Sequence, residues 1–151
     1  MKLKLKNTKI IEDIIDENDE VIGKVSFDPK DARAYKEFLS LIKLIEDYQR
    51  KDKKIGDIEN LPKEEIKSIE DIEIYKDSFD KLENKIDNYL ELETEIKKIT
   101  DEVFGNVSET FSKVSNSIEP YIELVQWATP YFKKERSEKV NTYLSKKEDV
   151  L

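Results

Sequence analysis

Apolar and polar positions alternate at the start of the chain. Leu3 and Leu5 stand between Lys2, Lys4 and Lys6, which is the two-residue period of a strand. Ile10, Ile11, Ile14 and Ile15 extend a β-branched apolar stretch, and the polar cluster Asp16-Glu-Asn-Asp19 suits a turn. Alternation then resumes, with Val21, Val25 and Phe27 expected on one face and Lys24 and Ser26 on the other. Two such runs around a polar turn predict a β-hairpin over residues 1–28. A lone hairpin is marginally stable, so another element must cover its apolar face.

A helical period follows. Asp28-Pro29-Lys30-Asp31 is a helix start, with Asp28 as cap and Pro29 at the first helical position. Tyr35, Phe38, Leu39, Ile42, Ile45 and Tyr48 recur at three and four residues, and Leu41 and Leu44 widen the stripe. This predicts a first helix over 29–54, buried on more than one side, and a linker over 57–65. A long acidic helix is expected over 66–104, with a seven-residue beat of Ile72, Tyr75, Phe79, Leu82, Ile86, Tyr89, Ile96 and Val103. Glu93 and Thr100 occupy two slots that a coiled coil would fill with apolar groups. A helix packed on its own domain is therefore the better reading than an intermolecular coiled coil. Gly105 suits a left-handed cap, and 105–117 reads as a connection holding one short helical turn. Ser117 can cap a last helical region over 118–151, which Pro130 should kink or split. The fold class is thus mostly α with a small N-terminal antiparallel β-hairpin: one domain over 1–151, a bundle of about four helices, one of them long.

Composition narrows the chemistry more than it changes this picture. Of 151 residues, 41% are charged and 37% hydrophobic, and there is neither Cys nor His. Disulfides, thiolate chemistry, the commonest general base and the commonest metal ligand are all excluded. The net charge of −8 is unevenly placed: residues 57–102 carry 7 basic and 16 acidic side chains, while the flanking segments are close to balanced. A field of that sign repels phosphate backbones, which argues against a nucleic-acid partner and for solubility. No window approaches the roughly 20 apolar residues of a membrane span. The alternating N-terminus does not have the form of a signal peptide, so a cytoplasmic, membrane-free protein is expected.

Carboxylates are the only raw material for a catalytic or metal site, and their spacing is unfavourable. Asp16–Glu20 fails as a calcium loop, with Val21 where the glycine should stand and Phe27 where the bidentate glutamate should. Glu91, Glu93 and Glu95 spread around a helix instead of converging. The three glycines are too far apart to cradle a phosphate. No enzyme, cofactor or metal is expected. The unusual segment is Ile118–Phe132, apolar on so much of its circumference that it must be central to the fold or bury one face in a partner. Aromatic anchors dominate interfaces. Tyr121, Val125, Trp127, Tyr131 and Phe132, with Phe104 at the end of the long helix, are therefore the candidate partner-binding residues.

Two motifs carry a resemblance. The run Asp16-Glu-Asn-Asp-Glu-Val-Ile-Gly-Lys-Val-Ser-Phe-Asp-Pro-Lys-Asp31 resembles the opening of tail assembly chaperones from long-tailed phages and prophages of Gram-positive bacteria. In those proteins an acidic turn, Val-Ile-Gly and an alternating strand lead into Phe-Asp-Pro-x-Asp and a first helix. Thr100-Asp-Glu-Val-Phe-Gly105 is similar to the family's Asp-Glu-Leu-Phe-Gly motif, and Pro130-Tyr131-Phe132 to its later Pro-Tyr-Phe element. After Gly105 the chain departs from the pattern, with Asn106-Val-Ser-Glu-Thr-Phe111 in place of a small glycine-rich loop. The resemblance implies a self-assembling chaperone, homo-oligomeric, whose partners are the tape measure protein and the tail tube protein. Two other functions compete with it: a structural component retained in the particle, and a small helical regulator or inhibitor acting on one target.

Overall fold

The computed structural model describes the backbone of residues 1–56 and 68–149, and the side chains of 1–52, 68–70 and 72–136. The expected linker over 57–65 lies outside the described residues. Among the described residues two antiparallel strands, β1 (Ile10–Ile15) and β2 (Val21–Phe27), precede five helices: α1 (Ala32–Gly56), α2 (Ile69–Ile74), α3 (Lys76–Phe104), α4 (Val107–Ser112) and α5 (Glu119–Asp149). The chain is mostly helical with a small N-terminal hairpin, as its periodicities predict. Its contacts group into two compact units, residues 1–42 with 97–151, and residues 43–96. Among the described residues no helix is long and apolar enough to cross a membrane.

Local chemistry accounts for the hairpin. Asp16 Oδ1 accepts from the backbone N–H of Asn18 (2.8 Å) and Glu20 (3.0 Å), and Asp19 takes a left-handed φ of 61°, which a short polar residue tolerates. The expected faces need one correction. The register slips between Ile14 and Ile15, whose partners are Gly23 and Val21, leaving Ile22 as the extra residue of a β-bulge. The bulge breaks the alternation, so Val21 is 58% exposed while Val25 and Phe27 remain buried. Residues 1–9, expected to open the hairpin, form no strand; Leu3 and Leu5 are 85% and 83% exposed.

Helix α1 begins three residues later than predicted. Asp28 caps the turn before the helix, accepting from Lys30 N–H at 3.0 Å. Asp31 is the helix cap itself, accepting from Arg33 N–H at 2.9 Å through its side chain and from Tyr35 N–H at 3.0 Å through its carbonyl. The long acidic helix is interrupted at Tyr75, between α2 and α3. Burial along this stretch is concentrated toward its C-terminal end, where Thr100 fills one of the two polar slots. Ile72 and Ile86 are exposed, whereas Ile96, Thr100 and Val103 are buried, so Thr100 takes a core position despite its hydroxyl. At Pro130 the structure also differs: α5 runs unbroken from Glu119 to Asp149. Gln126 and Pro130 are both exposed, so the carbonyl that loses its donor to the proline meets water.

The core of the first unit is an aromatic cluster centred on Phe27. Its ring lies 5.1 Å from Phe104, 5.4 Å from Phe132, and 5.8 Å from both Trp127 and Tyr131, three of the four edge-on. Phe38 stacks on Phe132 at 4.4 Å. The hairpin is thus held by the face that β2 presents to α5, which answers the need for cover. In the second unit Tyr48 of α1 stacks on Tyr89 of α3 at 3.9 Å.

Candidate docking groove

Three local devices place the walls of an open groove in the first unit. Helix α3 stops at Phe104 because Gly105 has φ +81°, the left-handed value that reverses the chain without a side-chain clash. Asp101, one turn earlier, then organises the start of α4: its carboxylate accepts from Ser108 N–H at 2.8 Å and from the Ser108 hydroxyl at 2.5 Å. The residue at the cap position, Asn106, makes no side-chain capping bond, so Asp101 performs that task from the previous helix. Finally Gly23 lets β2 approach α4 closely. A Cβ there would overlap the Thr110 hydroxyl and lie 2.6 Å from its Cγ2. Lys113 Nζ, just beyond α4, donates to the Ile22 carbonyl at 3.2 Å.

Ser117 Oγ accepts from Glu119 N–H at 3.3 Å and starts α5 as the sequence suggests. From there Pro120, Leu124, Trp127 and Tyr131 recur at helical spacing and form one wall of the groove. The facing wall is β1 and the bulged end of β2, with Ile14, Ile15, Ile22 and Val25, and Phe111 and Val114 close one end. The space measures about 540 Å³. Ile15 and Val114 are 53% and 54% exposed, and Trp127 is 37% exposed although its indole also packs on Phe27 and Tyr131. The polar lining consists of Glu12, Asp13 and Glu123, all exposed carboxylates, and no lysine or arginine. Such a surface gains free energy by covering apolar area and attracts cations at its margin. Among the described residues no group of three or more carboxylates is placed to hold a metal ion.

The six candidate partner-binding residues divide here. Phe104, Tyr121 and Phe132 are buried in this chain's own core and leave no surface for another molecule. The physical reason is packing within the chain: Phe27 of β2 and Phe38 of α1 cover Phe104 and Phe132, and Phe111 of α4 packs edge-on against Tyr121. Val125 is half-buried and does not line the groove. Trp127 and Tyr131 do line it. The missed residues are Ile14, Ile15, Ile22, Val114 and the three acids. One signal was available for the isoleucines, because Ile10, Ile11, Ile14 and Ile15 are too many for one face of a two-stranded ribbon. Ile15, Val114 and Trp127 leave apolar surface exposed around the groove, which a partner would cover with a gain in free energy. Compared with known proteins, the chain matches no family model, no curated protein sequence and no solved structure.

Proposed function

We propose that the chain is a phage tail assembly chaperone: a self-assembling protein of the host cytoplasm that binds and solubilises the tape measure protein and helps recruit tail tube subunits. The observation that carries this reading is the groove. A single copy leaves apolar surface uncovered there, in a chain whose exterior is otherwise strongly solvated. Two further features support it. The order of hairpin, Phe-Asp-Pro start, long helix ending in Phe-Gly and aromatic last helix is the order of the resembling family. The carboxylates of α3 lie outward, with only Glu93 and Asp101 half-buried. An acidic exterior around an apolar contact surface keeps a long apolar polypeptide in solution.

Co-expression with the tape measure protein encoded nearby tests the proposal. The expected result is a soluble complex that co-purifies, together with absence of this chain from finished particles by mass spectrometry. A tape measure protein that is equally soluble without this chain and never co-purifies with it would refute the reading.

A further inference from the structure

The groove lies along a strand with one open edge. Among the described residues β1 pairs with β2 on one side only, and the backbone groups of its other edge have no strand partner. An edge of that kind is a template for another extended segment. The same chain carries a segment with the complementary pattern. Residues 1–6, Met-Lys-Leu-Lys-Leu-Lys, alternate strictly, yet they pair with nothing in a single copy, and Leu3 and Leu5 are almost fully exposed. Fully extended, six residues span roughly 20 Å, the length of β1. The segment leaves the body at a fixed point: Thr8 donates its hydroxyl to Asp28 Oδ2 at 2.9 Å, beside the Phe27 end of β2.

Charge selects the occupant. The groove is lined by Glu12, Asp13 and Glu123 without a basic residue, while the segment brings Lys2, Lys4 and Lys6 without an acid. Lys24, the cross-strand partner of Asp13, and Lys113, whose ammonium donates to the Ile22 carbonyl, offset two of the three carboxylates, so the margin keeps a net charge of one acid. Alternation places leucines on one face of an added strand and lysines on the other. We propose that residues 1–6 of one copy add as a third strand along the open edge of β1 in a second copy. Leu3 and Leu5 enter the groove beside Ile14, Trp127 and Tyr131, and the lysines lie on the opposite face of the ribbon, beside Asp13. The inference rests on the reading of the groove as a protein-docking surface and gives self-assembly a physical contact. Because strand and groove are different surfaces of each copy, the contact is head-to-tail.

Light scattering across a concentration series tests it with two variants. Leu3→Asp with Leu5→Asp disables the strand and touches no packed residue. Ile15→Lys with Val114→Lys disables the groove at two exposed positions. The full chain should oligomerise, each variant alone should be monomeric with unchanged circular dichroism, and an equimolar mixture of the two should form a one-to-one dimer. Exclusion of both leucines should weaken association at least about a hundredfold. A full chain that stays monomeric at high concentration, with the segment free or folded back on its own β1, would overturn the proposal. So would oligomers that survive Leu3→Asp with Leu5→Asp, or a mixture that stays monomeric. If the chain assembles in this way but leaves the tape measure protein insoluble, the chaperone reading fails and the strand contact stands.

Discussion

Replacing Gly23 by alanine isolates the contact on which the hairpin's position against α4 depends. The added methyl would overlap the Thr110 hydroxyl and sit 2.6 Å from Cγ2 and 3.0 Å from Cβ, all closer than non-bonded carbon contacts allow. Thr110 is itself buried, so its side chain has little room to turn away. Forcing one methyl into a packed site costs about 1–3 kcal/mol. Alanine at a position compatible with its backbone also restricts the unfolded chain, a gain of about 0.4–1 kcal/mol, so the net loss should be about 1–2 kcal/mol. Urea denaturation followed by tryptophan emission reads this directly, because Trp127 packs on Phe27 of β2.

A double-mutant cycle with Thr110 isolates the contact. Thr110→Ala removes Oγ1 and Cγ2, the two worst overlaps, and leaves only the 3.0 Å approach to Cβ, which shifts of a few tenths of an ångström relieve. In that background Gly23→Ala should cost less than about 0.5 kcal/mol, giving a coupling of at least about 0.5 kcal/mol. A Gly23→Ala protein as stable as the wild type would refute the close approach. An equal penalty in both backgrounds would refute the assignment of the clash to Thr110.

Two other perturbations test separate contacts. Asp101→Ala removes both bonds that start α4 and should destabilise the chain by about 1–2 kcal/mol, whereas Asp101→Asn, which keeps an acceptor oxygen, should recover part of the loss; denaturant midpoints compare the two. Tyr48 and Tyr89 have their hydroxyl pKa values held above the usual phenol value of 10.0, chiefly by burial, with the hydrogen bond between them adding for Tyr48. The folded state therefore keeps protons that the unfolded state releases, so stability is intact below pH 10 and falls above it, by at most about 1.4 kcal/mol per pH unit for each tyrosine. Tyr48→Phe should flatten that decline in denaturation curves at pH 9, 10 and 11, and an unchanged slope would show that the stacked pair stays accessible to water.

What the sequence made legible was decided within a few residues. Asp16, Asp19, Gly105 and Ser117 act through the backbone beside them, so their residue types announce the turn, the left-handed cap and the helix start. The hairpin and the predominance of helix follow from periodicity for the same reason. Features that depend on distant partners were not legible. Gly23 inside β2 marks a bulge or a close approach, but that the neighbour it meets is Thr110 of α4 appears only in the fold. Pro130 was expected to break a helix, yet the cost of its missing donor depends on whether the orphaned carbonyl meets water, which is a property of the surface. Asp101 stood out within a motif, but its task as cap for a different helix appears only when α3 and α4 meet.

The aromatic residues show the same limit in its most consequential form. Along α5, Tyr121, Trp127, Tyr131 and Phe132 are chemically alike, and helical spacing alone cannot say which of them the rest of the chain will cover. Phe27 decides the matter. Its ring reaches Phe104, Trp127, Tyr131 and Phe132 together, drawing β2 onto α5, and Phe38 closes over Phe132 from the other side. Phe104 and Phe132 are thereby committed to the core. Trp127 and Tyr131 are gripped on one edge and left open on the other, where the second strand of the ribbon is too narrow to cover them. The groove is therefore not a separate feature added to the core; it is the part of the same aromatic cluster that a two-stranded sheet cannot reach. A third strand would complete that cover. This is the physical reason for looking to the exposed, strand-patterned residues 1–6 of another copy before looking further afield.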